Sequence, residues 1–456
     1  VRVGLALLLF WGSLLSPLSA AAQADPALII ESIELTGVNV IRRPVMRARL
    51  GLKRGEPFDE SRVQDARVDL LSTGLFQSVD ARLTKGTARG QVRVRFDCVE
   101  RATTSIEALH LGHARPTNLW AGFELADLDP FGLGFSLDGG FVASGDQGGI
   151  VLGGGPRELL GGTLQLQARL HWLVGNEPFV GPRGQRLAGE DVEQIRAPYG
   201  RRGGTLRVST SLGEYARLHL SVGLDHLRFE TPAQAEQRDP DGAYRAFEFN
   251  GADGLLSHGA VGLEYDSRND PSLPSRGLRG SLHGKVGQVG GQRFLSVLTG
   301  FEQYVPLPFG HVLRLDLKAG LVLGDAPFFE RWFIGDLHPY IPERSLGLNF
   351  ARRRGPNLLP GAIDEQRYET VAGRMGLEYR VPLTVRGANE SVGVELFVGA
   401  ALISLGSPGE ADGLATIEDD RQGLPLDLTI DAGLRIESTI GVMGLSVGNL
   451  FLLVDP

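Results

Sequence analysis

Few residues in this sequence have the types and spacing that chemistry needs. The densest ionisable run is Glu418-Asp419-Asp420, close to Asp412. Carboxylates so placed can hold a hard cation, but such a run is usually a solvated loop, and it is read as one. The nine histidines are scattered, and the single cysteine, Cys98, excludes a Cys-rich zinc site and an intramolecular disulfide. No G-x-x-x-x-G-K-S/T occurs, so P-loop nucleotide hydrolysis is unsupported. Neither a G-x-S-x-G elbow nor an H-E-x-x-H pair is present. Gly153-Gly154-Gly155 closes an apolar alternation and reads as a turn, not a phosphate cradle. The sequence predicts no catalytic residue, no metal and no cofactor.

The elements must therefore carry the function. The chain has 456 residues, 46 Lys+Arg against 54 Asp+Glu, and a formal net charge of −8. That balance argues against a nucleic-acid partner, whose phosphates need a basic surface. Apolar residues make up 42%, enough for a sizeable core rather than disorder. No run of 18 apolar residues follows the N-terminal segment, which excludes a helical membrane protein. Arg2, the apolar stretch Val3 to Leu15 and the small-x-small site Ala22-Gln23-Ala24 predict an export signal over 1–24, cleaved before Asp25. No cysteine near that point indicates a lipid anchor.

Residues 27–101 read as a small α+β module. A strand is expected over 29–36 and a short helix from Pro44 to near Gly51. A second helix is N-capped by Asp59, with Val63, Ala66, Leu70 and Leu71 on one face and Gly74 at its end. Val79, Ala81 and Leu83, then Val92, Val94, Phe96 and Cys98, alternate in two strands paired across 85–90. Cys98 reads as a small core residue of its strand.

Residues 102–456 read as a long series of amphipathic strands. Leu164, Leu166, Ala168, Leu170 and Trp172 alternate with Gln165, Gln167, Arg169 and His171. Leu313, Leu315, Leu317, Ala319 and Leu321 alternate with Arg314, Asp316, Lys318 and Gly320. Such alternation fits a transmembrane β-barrel, with leucines toward lipid and charges toward a lumen, but equally a large sandwich with the faces reversed. Loop lengths decide. About fifteen strands are counted, and the long gaps 174–202, 230–254, 324–366 and 405–424 all follow odd-numbered strands. They therefore open on one side, as in outer-membrane barrels. The expected fold is a signal peptide, a small α+β domain and an all-β transmembrane antiparallel barrel.

The module resembles a POTRA (polypeptide-transport-associated) domain through I-E-S-I-E-L-T-G at 30–37, G-E-P-F-D at 55–59 and L-L-S-T-G-L-F-Q-S-V at 70–79. With a barrel behind it, the chain resembles the outer-membrane assembly and translocation family typified by BamA and TamA. Asp127 to Gly132 is similar to that family's first periplasmic turn. A strand–turn–strand element comprising Tyr265, Asp266, Arg268, Pro274, Arg276 and Gly277 is similar to its Y-D-x-R-D…R-G pattern. G-L-R-I-E-S-T-I-G at 433–441 is similar to a strand near the family's C-terminus.

The resemblance implies sixteen strands and a loop inserted in the lumen, beginning near Arg331 and Gly335. It makes Arg344 the counterpart of the loop-tip arginine and Glu395 its inward acidic partner, because Gly399 holds the family's acidic place. It also implies a Gram-negative outer-membrane protein with the POTRA-like domain in the periplasm. The expected partners are client β-barrel or secreted polypeptides, outer-membrane lipid, and periplasmic or lipoprotein factors. The alternative is a passive channel or structural barrel without insertase activity.

Overall fold

The computed structural model describes residues 28–38, 50–72, 75–100, 103–114, 118–130, 134–157, 159, 164–179, 184–213, 215–239, 241–269, 273–337, 344–350, 368–384, 393–406, 426–438 and 441–448. The expected export signal, most of the helix expected from Pro44, Gly74, and the acidic run at 412–420 lie outside the described residues. Two units can be distinguished.

The first contains β1 (Ile29–Thr36), α1 (Glu60–Ser72), β2 (Phe76–Lys85) and β3 (Gln91–Glu100). β3 is central, parallel to β1 and antiparallel to β2. The Asp59 carboxylate accepts the Ser61 backbone N–H at 2.9 Å, capping α1. Val63, Ala66 and Leu70 face inward with Ile30, Val79, Val94 and Phe96. Cys98 is buried in the same core, and burial pushes its thiol up to about 11. Across the sheet, Glu31 takes the Arg93 guanidinium at 3.1 Å and the Thr87 backbone N–H at 2.8 Å. These partners hold its carboxyl down at about 2.

The second unit is a fifteen-stranded sheet. Its first strands are β4 (Thr104–Ala114), β5 (Asn118–Asp127), β6 (Phe135–Ala143), β7 (Gly148–Pro156) and β8 (Leu164–Phe179). After β9 (Gln185–Leu187) and β10 (Glu190–Val192) come β11 (Ile195–Ser211) and β12 (Ala216–Phe229). β13 (Ala235–Arg238) and β14 (Tyr244–Ala246) precede β15 (Gly254–Asp266), β16 (Gly277–Val289), β17 (Gln292–Pro306) and β18 (Val312–Gly324). The short pairs β19 (Trp332–Phe333), β20 (Arg344–Ser345), β21 (Leu348–Asn349) and β22 (Tyr368–Glu369) follow. The series ends with β23 (Val371–Pro382), β24 (Gly393–Gly406), β25 (Leu426–Ser438) and β26 (Gly441–Gly448).

Neighbours are antiparallel from β4 to β26. The two end strands come within 8 Å of each other, Cα to Cα, and carry no ladder between them among the described residues. With an odd count they run in the same direction. The walls differ in height: β11 has 17 residues and β8 has 16, whereas β6 and β7 have nine each.

The apolar stripe points outward and the charged stripe inward. Leu170 and Trp172 are 65% and 66% exposed, whereas Asp225 and Glu378 are 0% and 2% exposed. That inversion is the lipid-facing arrangement of a transmembrane barrel. Two local readings change. Gly153 to Gly155, read as a turn, lie inside β7. Pro198 and Gly200, read as part of a loop, lie inside β11, which begins at Ile195 and pairs with an equally extended β8. The gap at 174–202 accordingly shrinks to 180–194; with the gap at 230–253 it contributes a four-stranded sheet in the order β10-β9-β13-β14.

Candidate functional site: a filled and charged lumen

Inward positions on the strands build two ion networks. The first lies near the end of the barrel that carries the short turns. On β23, Arg380 meets Glu378 at 3.1 Å and reaches Glu395 on β24 at 3.3 Å. Arg435 on β25 bridges the same carboxylates at 2.8 and 3.0 Å. Arg314 on β18 joins Glu378 at 3.7 Å and Glu302 on β17 at 3.1 Å, and the Tyr304 hydroxyl donates to Glu302 at 2.7 Å. Three arginines thus face three glutamates, and Asp316 pairs with Arg374 beside them. Paired, hydrogen-bonded charges are the form in which buried ions persist.

The second network holds the segment between β18 and β23. Glu330 accepts Lys285 of β16 at 2.6 Å and lies 3.5 Å from Arg201 of β11. Arg201 also pairs at 2.6 Å with buried Asp225 of β12, which His171 approaches at 3.2 Å and His258 at 3.7 Å. Around this anchor aromatic rings of the segment pack against rings of β8, β11 and β12. Phe328 lies 5.2 Å from Tyr199 and 5.3 Å from Phe179, centroid to centroid, and Phe249 packs edge-on to Phe179 at 5.2 Å. Further along, Phe350 stacks on Trp120 at 5.1 Å. The Gln147 amide donates to the Asn349 carbonyl at 2.8 Å, and the Asn349 amide donates to Glu177 at 3.0 Å. Tyr368 also bonds Glu177.

The residues singled out from sequence are dispersed among these features. Arg331 donates to the Ala326 carbonyl at 2.8 Å, stapling the turn that presents Glu330. Gly335 belongs to the 3-10 turn Ile334–Leu337, which Asp336 closes by accepting the Phe333 N–H at 3.0 Å. Arg344 lies in the β20–β21 hairpin, where its backbone pairs with Asn349; its side chain lies outside the described residues. Leu348 of that hairpin packs with Val142, Val151 and Leu173 of β6–β8. Glu395 is on β24, eight strands further along the sheet, in the short-turn network. Glu395 pairs there with Arg380 and Arg435, and the side chain of its expected partner, Arg344, lies outside the described residues. Gly399 stands where the family has its acidic residue, and Glu395 lies two pleat repeats nearer the short-turn end, within reach of arginines on the two adjacent strands.

The strand–turn–strand motif is a built turn. Arg268 pairs with Asp266 at 2.7 Å, and the Ser275 and Arg276 N–H groups both donate to the Asn269 side chain at 3.0 Å. Gly277 has φ +101°, and a Cβ there would sit 2.4 Å from the Ser267 carbonyl oxygen, so only glycine fits. Pro274 is buried in the turn, while Tyr265 points outward, its ring 5.9 Å from Tyr215.

Glu330, Lys285, Arg201 and Asp225 were missed as a unit. The available signal was a carboxylate directly after Phe328-Phe329 in a long loop, together with inward Lys285 and Asp225 in the alternation. Glu378 and Arg380 were legible in the same way, flanking outward Tyr379.

Residues 160–340 match the family model described as the Omp85 superfamily domain, and residues 28–101 match the POTRA model, described as surface antigen variable number repeat. The chain is an Omp85-family outer-membrane protein. Outer membrane protein assembly factor BamA of Neisseria meningitidis serogroup B is 24% identical over 326 residues, which is 68% of this chain and 39% of that protein. The chain thus spans about two fifths of the length of the curated relative it matches. BamA from Haemophilus ducreyi lacking POTRA domains 1–3 shares the fold, with a TM-score of 0.52 and 16% identity over 92% of this chain and 80% of that one. CdiB from Acinetobacter baumannii does so at 0.51 and 13%, over 93% and 74%. The Omp85 protein lies in a Gram-negative outer membrane with its POTRA domain in the periplasm. The short-turn end of the barrel faces the periplasm and the long-loop end faces outward.

Proposed function

We propose that this Omp85 protein inserts client polypeptides into the outer membrane or passes them across it, without an enzymatic step. Chain limits of 1–24 for the signal, 27–101 for the POTRA domain and 102–456 for the barrel belong to the same reading. In the periplasm, an edge of the β1-β3-β2 sheet takes an extended client strand by main-chain pairing. β-barrel precursors or secreted polypeptides are the clients, and periplasmic or lipoprotein factors deliver them.

The observation that carries this reading is the anchored segment in the lumen. Glu330 is held by Lys285 and Arg201, and aromatic rings pack around it. A lumen occupied in this way suits a gated or wall-directed passage better than the passive channel that is the alternative. Arg344 and the Y-D-S-R turn are proposed to support the loop and the wall rather than to bind the client.

Depletion tests the proposal. Folded porins, scored by heat-modifiable migration, and surface display of secreted proteins are expected to fall as the protein is depleted. Unchanged porin folding and unchanged display, with steady ion conductance by the purified protein in planar bilayers, would establish the passive channel instead.

A further inference from the structure

We propose that the outer wall of β8, β11 and β12 carries a binding site for a phosphorylated, acylated lipid of the membrane's outer leaflet. In register, Arg202 of β11 lies between Trp172 of β8 and His226 of β12. All three side chains are exposed on the outward face. One pleat repeat further out, Gly200 lies between Val174 and Arg228. Together they line a groove of about 390 Å³. Its floor is open at Gly200, where an added Cβ would meet only the Leu173 carbonyl oxygen, at 3.9 Å.

Arg228 pairs with Glu230 at 3.3 Å, a solvated link between exposed groups. Arg202 and His226 have no side-chain hydrogen bond or ion pair among the described residues. Two basic groups thus face the membrane side of the wall with no protein partner.

Their height identifies the partner. Tyr265 pairs with Ala216 near the periplasmic end, and Leu255 pairs with His226, ten residues further along β12. Ten residues at about 3.3 Å, tilted by about 40°, rise about 25 Å, the height of the apolar band of such barrels. Arg202 and His226 therefore stand at the outer rim of that band, where headgroup phosphates begin. Beneath them Leu170 and Leu224 flank Gly204, an apolar bed for acyl chains. The cluster is local, since the same row continues into Ile150 on β7 and Leu255 on β15. A general affinity for headgroups would place cations around the whole rim. A single basic pair with Trp172 beside it and leucines below matches one lipid with phosphate above and chains below.

The test uses the full protein folded into phosphatidylethanolamine vesicles containing lipid A. It is then extracted in detergent, and the retained lipid is quantified by mass spectrometry. The wild-type protein is expected to keep lipid A in preference to phosphatidylglycerol. Arg202→Gln and His226→Gln are expected to reduce retention by about tenfold each, the equivalent of one charge-assisted hydrogen bond. Arg293→Gln, near the outer end of β17, serves as a charge-matched control and is expected to change nothing. Heat-modifiable migration confirms that each variant is folded. A measurement on the wild type needs no variant: lipid A stripped of its phosphates is expected to be lost. Equal retention of the stripped lipid or of phosphatidylglycerol would overturn the assignment, and so would an equal effect of Arg293→Gln.

Discussion

The POTRA strands and the barrel strands share a period of two and use it in opposite senses. In β3, Val94 and Phe96 are buried in a core, and Arg93 and Arg95 point to water. In β12 and β23 it is Asp225, Glu378 and Arg380 that are buried, while Leu220, Leu224 and Leu377 are bare. The residue pattern does not encode which face is inside. The solvent does, and a chain learns its solvent from length, closure and loop placement. This is why the sandwich and the barrel could be separated only by the sorting of long loops to one end.

The contrast can be broken at either end. The largest effect is expected from Phe96→Ala in the POTRA core, about 3–5 kcal/mol of that domain's stability. Hydrogen exchange of β1–β3 should report it, with the barrel strands unchanged. Next comes Leu220→Arg on the lipid face of β12, about 2–4 kcal/mol near the bilayer midplane. It is read as a loss of folded barrel in vesicles, and the same exchange at an exposed POTRA site such as Leu83 should be nearly silent.

A third change concerns the lumen alone. Glu330→Gln removes a hydrogen-bonded charge from Lys285 and Arg201, about 1.5–3 kcal/mol of local anchoring. Protease access to residues 325–337 and bilayer conductance should both rise. Replacing Glu330 and Lys285 together by Met should restore protection, because no unpaired charge then remains.

The smallest effect is a titration. Glu31 has a carboxyl lowered from 4.5 to about 2, so its contribution to the POTRA domain is complete above about pH 4.5 and is lost as the pH falls toward 2. Glu31→Gln should flatten that part of the acid-unfolding curve of the domain. A small loss of stability is expected at neutral pH, where the contribution is complete, and no change near pH 2; the loss is small because Arg93 is partly solvated.

The positions of the fifteen strands were legible because alternation and turn residues are local signals. The over-long β8 and β11 were not, since Pro198 and Gly200 look like breakers. In a wall paired on both sides, neighbouring strands supply the order that propensity withholds. The ion networks were legible only as inward charges. Which arginine takes Glu395 depends on strand adjacency, and Arg380 and Arg435 lie on its immediate neighbours. The loop-tip likeness named Arg344, whose side chain lies outside the described residues. Glu330 escaped notice because its partners lie 45 and 129 residues away in sequence, a separation that no spacing rule covers.

The unequal height of the wall has a consequence for the bilayer. Nine residues in β6 and β7 rise about 23 Å at a tilt of about 40°, just short of the apolar band of about 25 Å. Seventeen residues in β11 rise about 43 Å on the same reckoning and overtop it. Acyl chains beside β6 and β7 must buckle or splay to meet so low a rim, at a fraction of a kcal/mol per ångström. The protein therefore stands in a lipid annulus that is pinched on one flank and full on the other, and that gradient travels with it wherever it diffuses.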